Sequence, residues 1–381
     1  MNTLSVAARN PRDLDAERPS KPPPTDWRLE YAINGRFLTQ PLTGVQRYAT
    51  EVVRALDLLI AERRGSAEIL TPRLEKAPRY AAITVSPSPI ASGYIWEQCE
   101  LPLRARRPIL SLCNIGPLAA SEQIVCVHDV NVFRCPESYS WVFRQTYRAF
   151  LPRLARRATR LTTVSQASRR ALSQLFSLTE RDIAVLPNGH EHVLDWRPER
   201  SALGHVVNGL RRFVLLIGGM AFHKNFGRVL GLARALDTLK LDIVVVGGDA
   251  SIFANAPRTG ATNVHVLGRV SDDDLALLYK RALCLAFPSR FEGFGLPLLE
   301  AMALGCPVVA SPIPSSLEVC GESALFADAG DDRLWLRSVE KIARSADFHA
   351  ELAERGRAQA RTFSWRRSAQ GYIDLIDGGR A

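Results

Sequence analysis

The chain has 381 residues, of which 46 % are hydrophobic and 23 % charged, and Lys+Arg 49 against Asp+Glu 39 leaves a formal net charge of +10. At roughly 150 residues per domain this is material for two or three folded units, and it excludes a disordered or fibrous chain. The positive balance favours an anionic partner, with a nucleotide, a nucleic acid and an acidic lipid surface as the classes to weigh.

In chain order, residues 1–26 are polar, aperiodic and proline-rich (Pro19, Pro22, Pro23, Pro24), which reads as a disordered tail. A first strand is predicted at 29–33 and a loop at 34–43. Gly44 then opens a helix to about residue 60, whose apolar positions Val45, Tyr48, Val52, Val53 and Leu56 follow helical spacing. Further strands are predicted at 67–71, 109–112, 124–128, 160–164 and 183–185, with helices near 141–157 and 168–175. A second cycle begins near residue 211. It has a strand at 213–217 ending in Gly218-Gly219, a helix over 225–239 and strands at 243–246 and 264–267. A helix capped by Ser271, a strand at 284–287, a helix from Leu296 and a strand at 307–310 complete it. Strands alternating with helices in both halves predict an α/β protein of two Rossmann-like doubly wound domains facing an interdomain cleft. The expected division is a tail over 1–26, an N-terminal domain over 27–200, a C-terminal domain over 201–360, and a final helix over 361–381 packing back on the first domain.

Seven cysteines form no C-x-x-C pair and are odd in number, so neither a zinc site nor a disulfide framework is supported and the expected compartment is cytoplasmic. No apolar run reaches the roughly 18 residues needed to span a bilayer, and the N-terminus lacks a signal-peptide core.

The sharpest stretch is Phe291-Glu292-Gly293-Phe294-Gly295-Leu296-Pro297-Leu298-Leu299-Glu300, which follows a strand and leads into a helix. Its glycines let a ligand approach the backbone, Pro297 suits the first helical turn, and the free N–H groups of the helix start suit an anion. Glu292 and Glu300 flank that start, where each can accept hydrogen bonds from sugar hydroxyls. From the residues alone this reads as a phosphosugar or nucleotide-sugar pocket, while a tight turn with a solvent-facing glutamate would share the spacing. Gly44 tips a second loop before a helix, in Thr43-Gly44-Val45-Gln46-Arg47-Tyr48. His128 closes the apolar strand at 124–128, and a strand-end histidine in a cleft can hold a hydroxyl, position the reacting centre or be purely structural. His128-Asp129 also suits a metal phosphohydrolase, but no further spaced ligands accompany it. Lys224 stands just before the helix predicted at 225–239. Asp272, Asp273 and Asp274 sit in a helix first turn, a poor place for a metal.

The 291–300 stretch resembles family 4 of the retaining glycosyltransferases, two-Rossmann-domain enzymes of the B-type fold that use nucleotide-sugar donors. Glu292 and Glu300 match its two signature glutamates, which have seven residues between them. Phe287-Pro288-Ser289 before them and Gly305-Cys306-Pro307-Val308-Val309-Ala310 after them match the context, which continues through Glu318 and Gly321 to Asp331. The resemblance implies donor contacts from Gly44, Lys224, Phe294, Gly295, Leu296 and Glu300, and catalytic roles for Glu292, His128 and Lys224. Lys224 would hold the donor diphosphate and offset its charge as it leaves. A second basic residue common in relatives is missing nearby, leaving Lys224 alone or helped by an arginine elsewhere, with Arg228 as a candidate. The Pro187-Asn188-Gly189 turn resembles the interdomain hinge. The implied chemistry is metal-independent and needs no cofactor beyond the nucleotide sugar as co-substrate. The donor resembles GDP-mannose in type, and the acceptor is expected to be lipid-linked or a growing surface polysaccharide.

The segment from Ser138 to Thr179 holds Arg144, Arg148, Arg153, Arg156, Arg157, Arg160, Arg169 and Arg170 and no acid. Phe143, Tyr147, Phe150, Leu151 and Leu154 interleave at helical spacing, so an anionic membrane at the inner face of the plasma membrane is an expected partner. An ordinary helix with that stripe in the core gives the same pattern. Pro152 is expected to kink or end the helix. The competing function is a catalytically inactive homologue that binds a nucleotide or another anion. No nucleic-acid motif is visible, and the Gly-x-Gly-x-x-Gly that a sugar-nucleotide epimerase needs is absent.

Overall fold

The computed structural model describes residues 27–88, 90–219, 221–248 and 262–378. The proline-rich 1–26 segment lies outside them. Thirteen strands form two all-parallel sheets among the described residues. The first contains β1 (Arg28–Asn34), β2 (Ser66–Thr71), β3 (Ile83–Pro87), β4 (Ile109–Ser111), β5 (Gln123–Cys126), β6 (Arg160–Thr163) and β7 (Ile183–Val185), in the order β3-β2-β1-β4-β5-β6-β7. The second contains β8 (Phe213–Ile217), β9 (Asp242–Val246), β10 (Val264–Gly268), β11 (Cys284–Phe287), β12 (Val308–Ala310) and β13 (Leu325–Phe326), in the order β10-β9-β8-β11-β12-β13. Each sheet starts in its middle and winds outward both ways, so the chain reverses direction between β1 and β4 and between β8 and β11. Ligands of open parallel sheets bind at such reversals, outside the carboxyl ends of the strands.

Parallel strands covered on both faces must be apolar throughout, and β9 and β11 are buried along their whole length. Edge strands carry less signal. In β3 only Ile83 is buried, and sequence periodicity does not reveal it. The helix predicted over 225–239 divides into Phe226–Gly231 and Ala233–Thr238. Gly227 and Gly231 weaken the helix at that point. The stretch after β3 holds an unpredicted π-helical turn, Trp96–Glu100, that drives Trp96 and Glu97 into the interior.

The Trp141–Arg157 helix continues past Pro152 and does not end there. Leu151 and Leu154 on either side of it are fully buried, and that packing outweighs one lost backbone hydrogen bond. Its apolar stripe is core: Tyr147, Leu151 and Leu154 pack beneath the first sheet. The face left outside carries Trp141, Val142, Arg148, Arg153, Arg156 and Arg157. No helix among the described residues is long and apolar enough to cross a membrane.

The last helix, Trp365–Gly378, lies against the Gly44–Glu62 helix of the first lobe. Tyr372 Oη is 3.0 Å from both Tyr48 Oη and Thr162 Oγ1, and Tyr48 Oη donates to the Leu186 carbonyl at 2.9 Å. Arg366 adds a two-pronged pair with Glu62 at 2.8 and 2.6 Å.

Candidate functional site

Between the lobes lies a cleft of about 700 Å³, walled by Gly44, Arg47 and His128 on one side and Lys224, Glu292 and Glu300 on the other. On the second lobe, β11 ends at Phe287 and the chain loops to Gly295, whose φ of +99° favours glycine and which caps the Leu296–Ala303 helix. Pro297 sits in the first turn, and the helix start faces the cleft. Gly293 is required for a different reason: a Cβ there would lie 2.5 Å from the His128 carbonyl oxygen. The loop is thereby pressed against the end of β5. Ser165 Oγ donates to the Gly293 carbonyl at 2.6 Å, and Ser168 Oγ donates to the His128 carbonyl at 2.7 Å.

Lys224 comes from the turn after β8 and reaches this loop, where its Nζ is 2.8 Å from Glu292 Oε1. Both side chains remain partly accessible, at 19 % and 11 %, so the ammonium is held by the carboxylate and open to an entering anion. Glu300, just over one turn into the helix, is 6 % exposed. Its Oε2 accepts from Tyr279 Oη at 2.9 Å and its Oε1 lies 3.2 Å from His192 Nε2. Trp365 Nε1–H, which can only donate, points at His192 Nδ1 at 3.1 Å. The imidazole proton is therefore on Nε2, where it is donated to Glu300. This Trp365–His192–Glu300–Tyr279 chain holds the carboxylate in one orientation, with lone pairs left toward the cleft.

On the first lobe, His128 follows β5 and is buried. Its Nε2 donates to the Leu112 carbonyl at 2.9 Å and its ring meets Tyr48 edge-on at 4.8 Å. Burial pushes the imidazole down, but the Cys126 thiol, the Leu112 carbonyl and Asp129 together outweigh it and hold it above the ordinary histidine range. Asp129, next along, also lines the cleft, and burial first and the nearby Glu292 charge second push its carboxyl up. Gly44 opens the Gly44–Glu62 helix at the cleft with open space around it, since a Cβ there would meet nothing within 4 Å.

Phe294, Gly295 and Leu296 also line the cleft, so every residue singled out in the sequence for donor or catalytic contact borders one cavity. Arg228 does not: it pairs with Asp332 at 2.6 Å and lies outside the cleft lining. The cations that border the cleft beside Lys224 are Arg47 and Arg269. Arg47, from the helix after Gly44, joins the lobes through Asp272 at 2.5 Å. Asp274 closes a capping box with Ser271, and Asp273 accepts from the Arg197 amide at 2.6 Å. All three aspartates of that first turn are thus bound to protein groups, and no group of three metal-ligating side chains occurs among the described residues. Sequence reasoning missed Arg47, Asp129, His192 and Tyr279 as site residues. His192 stands just after the Pro187-Asn188-Gly189 turn, the one local signal that marked its neighbourhood.

Residues 204–359 match the family model described as glycosyl transferases group 1, and residues 118–194 match that of glycosyltransferase family 4. The chain is 30 % identical over 267 residues to O-antigen chain mannosyltransferase B of Escherichia coli, covering 65 % of this chain and 68 % of that protein. It is 26 % identical over 230 residues to O-antigen chain mannosyltransferase RfbU of Salmonella typhimurium, covering 59 % of this chain and 62 % of the relative. Among solved structures it is similar in fold to WaaG, a glycosyltransferase involved in lipopolysaccharide biosynthesis. That match has a TM-score of 0.68 and 16 % identity over 93 % of this chain and 99 % of WaaG.

Proposed function

Because the chain belongs to the family 4 glycosyltransferases, we propose that its cleft binds a nucleoside diphosphate sugar and passes the sugar, with retention, to a lipid-linked or growing surface polysaccharide. The donor is GDP-mannose in this reading, in keeping with the two O-antigen mannosyltransferases among its relatives. The observation that carries it is the Lys224–Glu292 pair at the glycine-capped start of the Leu296–Ala303 helix, with Glu300 locked behind it.

The donor diphosphate sits between Lys224 and the helix-start amides of Gly295 and Leu296. Glu300 accepts from the ribose hydroxyls and Glu292 from those of the transferred sugar. The bond from the anomeric carbon to the leaving phosphate oxygen breaks as the acceptor oxygen bonds to the same face. The leaving phosphate takes the acceptor proton, while Lys224 and the amides stabilise its charge. His128, its Nε2 held by Leu112, positions the first-lobe wall. The three bonded aspartates at 272, 273 and 274 support a reaction without a metal. The exposed face of the Trp141–Arg157 helix, with Trp141 and Val142 at its start, supports docking on anionic headgroups. Such binding is salt-sensitive.

The test is transfer and donor hydrolysis with a panel of nucleotide sugars, using the intact chain beside Glu292→Ala and Lys224→Ala. Turnover of GDP-mannose by the intact chain, lost in both variants, is the expected outcome. If no donor is bound or turned over, the reading is wrong.

A further inference from the structure

Beside the main cleft, and sharing Asp129, Asn131 and Glu292 with it, is a second cavity of about 230 Å³. Three arginines border it from three separate elements. Arg134 ends the Asn131–Arg134 helix, Arg170 lies in the Gln166–Phe176 helix, and Arg290 is on the loop after β11 of the other lobe. All three are exposed. Among the described residues none of them has an ion-pair partner. Arg134 and Arg290 have only ring contacts, at 6.0 Å from the Phe291 centroid and 4.5 Å from that of Phe222. Arg169, adjacent in sequence, is by contrast paired with Glu180 at 3.2 Å. Of the two carboxylates at the shared mouth, Glu292 is already taken by Lys224. The fourth element is buried: Ser315 borders the same cavity, is 1 % exposed, and its hydroxyl has no hydrogen-bond partner among the described residues. A buried hydroxyl without a partner is uncommon in a folded protein unless a ligand or water completes it.

We propose that this side cavity is an acceptor subsite for a phosphate-class anion, with Arg134, Arg170 and Arg290 as its cations and Ser315 Oγ as a donor at its floor. Guanidinium groups from three directions suit the equatorial oxygens of a phosphate better than a single ammonium does. The side of the cavity also identifies what carries the anion. Most of its wall belongs to the first lobe, whereas the donor diphosphate is assigned to Lys224 and the helix start on the second. An anion here lies on the far side of Glu292 from the donor phosphates, where the incoming acceptor approaches the sugar. The acceptor is therefore a sugar or lipid bearing a phosphate close to its reacting hydroxyl. This inference rests on the cleft binding a nucleotide sugar.

The experiment is a calorimetric titration of the full chain, alone and saturated with UDP or GDP, using octyl phosphate, inorganic phosphate and octyl glucoside as probes. Octyl phosphate is expected to bind one-to-one with or without nucleotide, more tightly than inorganic phosphate, and octyl glucoside is expected not to bind. Arg170→Ala should weaken octyl phosphate by about tenfold or more, Arg170→Lys by less, with nucleotide affinity held within about twofold in both. Arg170 is exposed, so neither variant threatens the fold. Equal octyl phosphate affinity in the intact chain and in the Arg134→Ala, Arg170→Ala double variant overturns the proposal. Displacement of octyl phosphate by nucleotide also overturns it, because the cavity then only serves the nucleotide's own phosphates. If neither nucleotide binds, the reading of the main cleft fails, while octyl phosphate titrated into the unliganded chain still decides the side cavity.

Discussion

Replacing Trp365 with phenylalanine tests whether Glu300 is held by a relay or only by its own helix. The indole is 3 % exposed and its Nε1–H is 3.1 Å from His192 Nδ1, so Phe removes one donor while keeping an aromatic ring against Tyr48 and His192. The neutral hydrogen bond itself is worth about 1 kcal/mol. The loss does not stop there, because His192 is 4 % exposed and its Nδ1 then has no partner. With no donor left to fix the tautomer, the proton is free to move to Nδ1, and Nε2 then presents a lone pair to Glu300 Oε1 at 3.2 Å. In that tautomer the carboxylate loses its fixed orientation. A total of about 1–2 kcal/mol corresponds to a roughly 5- to 30-fold weaker nucleotide. The assay is calorimetric Kd for the nucleoside diphosphate of the active donor, with kcat and KM measured beside it. Kd and donor KM should rise together while kcat stays within about twofold, since Glu300 is assigned to binding and not to the leaving phosphate. Tm should drop by about 2–4 °C per kcal/mol lost. An unchanged Kd with the same drop in Tm would refute the relay and leave Trp365 as packing alone.

Lys224→Ala should lower kcat by about 10²-fold or more, because the ammonium acts on charge that grows as the phosphate leaves; single-turnover transfer measures it, and a change confined to KM would contradict that role. Glu318 accepts from the Gln166 and Ala167 amides at 2.8 and 3.1 Å, capping a first-lobe helix from the second lobe. Glu318→Ala should cost about 1 kcal/mol and enlarge the radius of gyration of the nucleotide-free protein in small-angle scattering; identical scattering curves would deny it a part in closure. Burial raises the Glu191 carboxyl, but hydrogen bonds from Ser364 Oγ and the Trp365 amide outweigh it, leaving it below its ordinary 4.5. Its contribution to stability is therefore present above that value and lost as pH falls through the folded one. Melting curves of Glu191→Gln and the parent should differ at pH 7 and converge only once the pH has fallen through the carboxyl's lowered folded-state value.

Much of the frame was legible because parallel strands buried on both faces leave continuous apolar runs between glycine-rich turns. β8, β9 and β11 announce themselves this way, and each ends close to its predicted boundary. The strand-end loops could be read for the same reason, since Gly293 and Gly295 answer to local constraints of close approach and positive φ. The partners of Glu300 could not. His192 is 108 residues from Glu300 and Trp365 is 173 residues from His192, and nothing in either segment's periodicity states that they meet. The choice of Arg228 as an auxiliary cation followed sequence proximity to Lys224. Helix geometry turns it outward to Asp332, and Arg47, 177 positions earlier than Lys224, borders the cleft instead. The aromatic stripe of the Trp141–Arg157 helix shows the same limit. Helical spacing reports that one face is apolar but not whether the first sheet or a lipid covers it, and here the sheet does.

The return of the last helix to the first lobe means that the polypeptide passes between lobes twice, side by side. Gly189 on the outward pass touches the Ser364–Trp365 backbone on the return so closely that a Cβ would sit 2.0 Å from the Trp365 nitrogen. His190 Nδ1 meets the Phe363 carbonyl at 2.7 Å, and Ser368 Oγ meets that of Pro187 at 2.5 Å. Two laced spans behave like the leaves of a door: they bend about a shared line and resist torsion. His192 and Trp365 lie on that line, where a swing displaces atoms least. The carboxylate they steady therefore keeps its bearing as the lobes swing, and Arg47, over the Trp196 ring and paired with Asp272 of the second lobe, stays close to the same line.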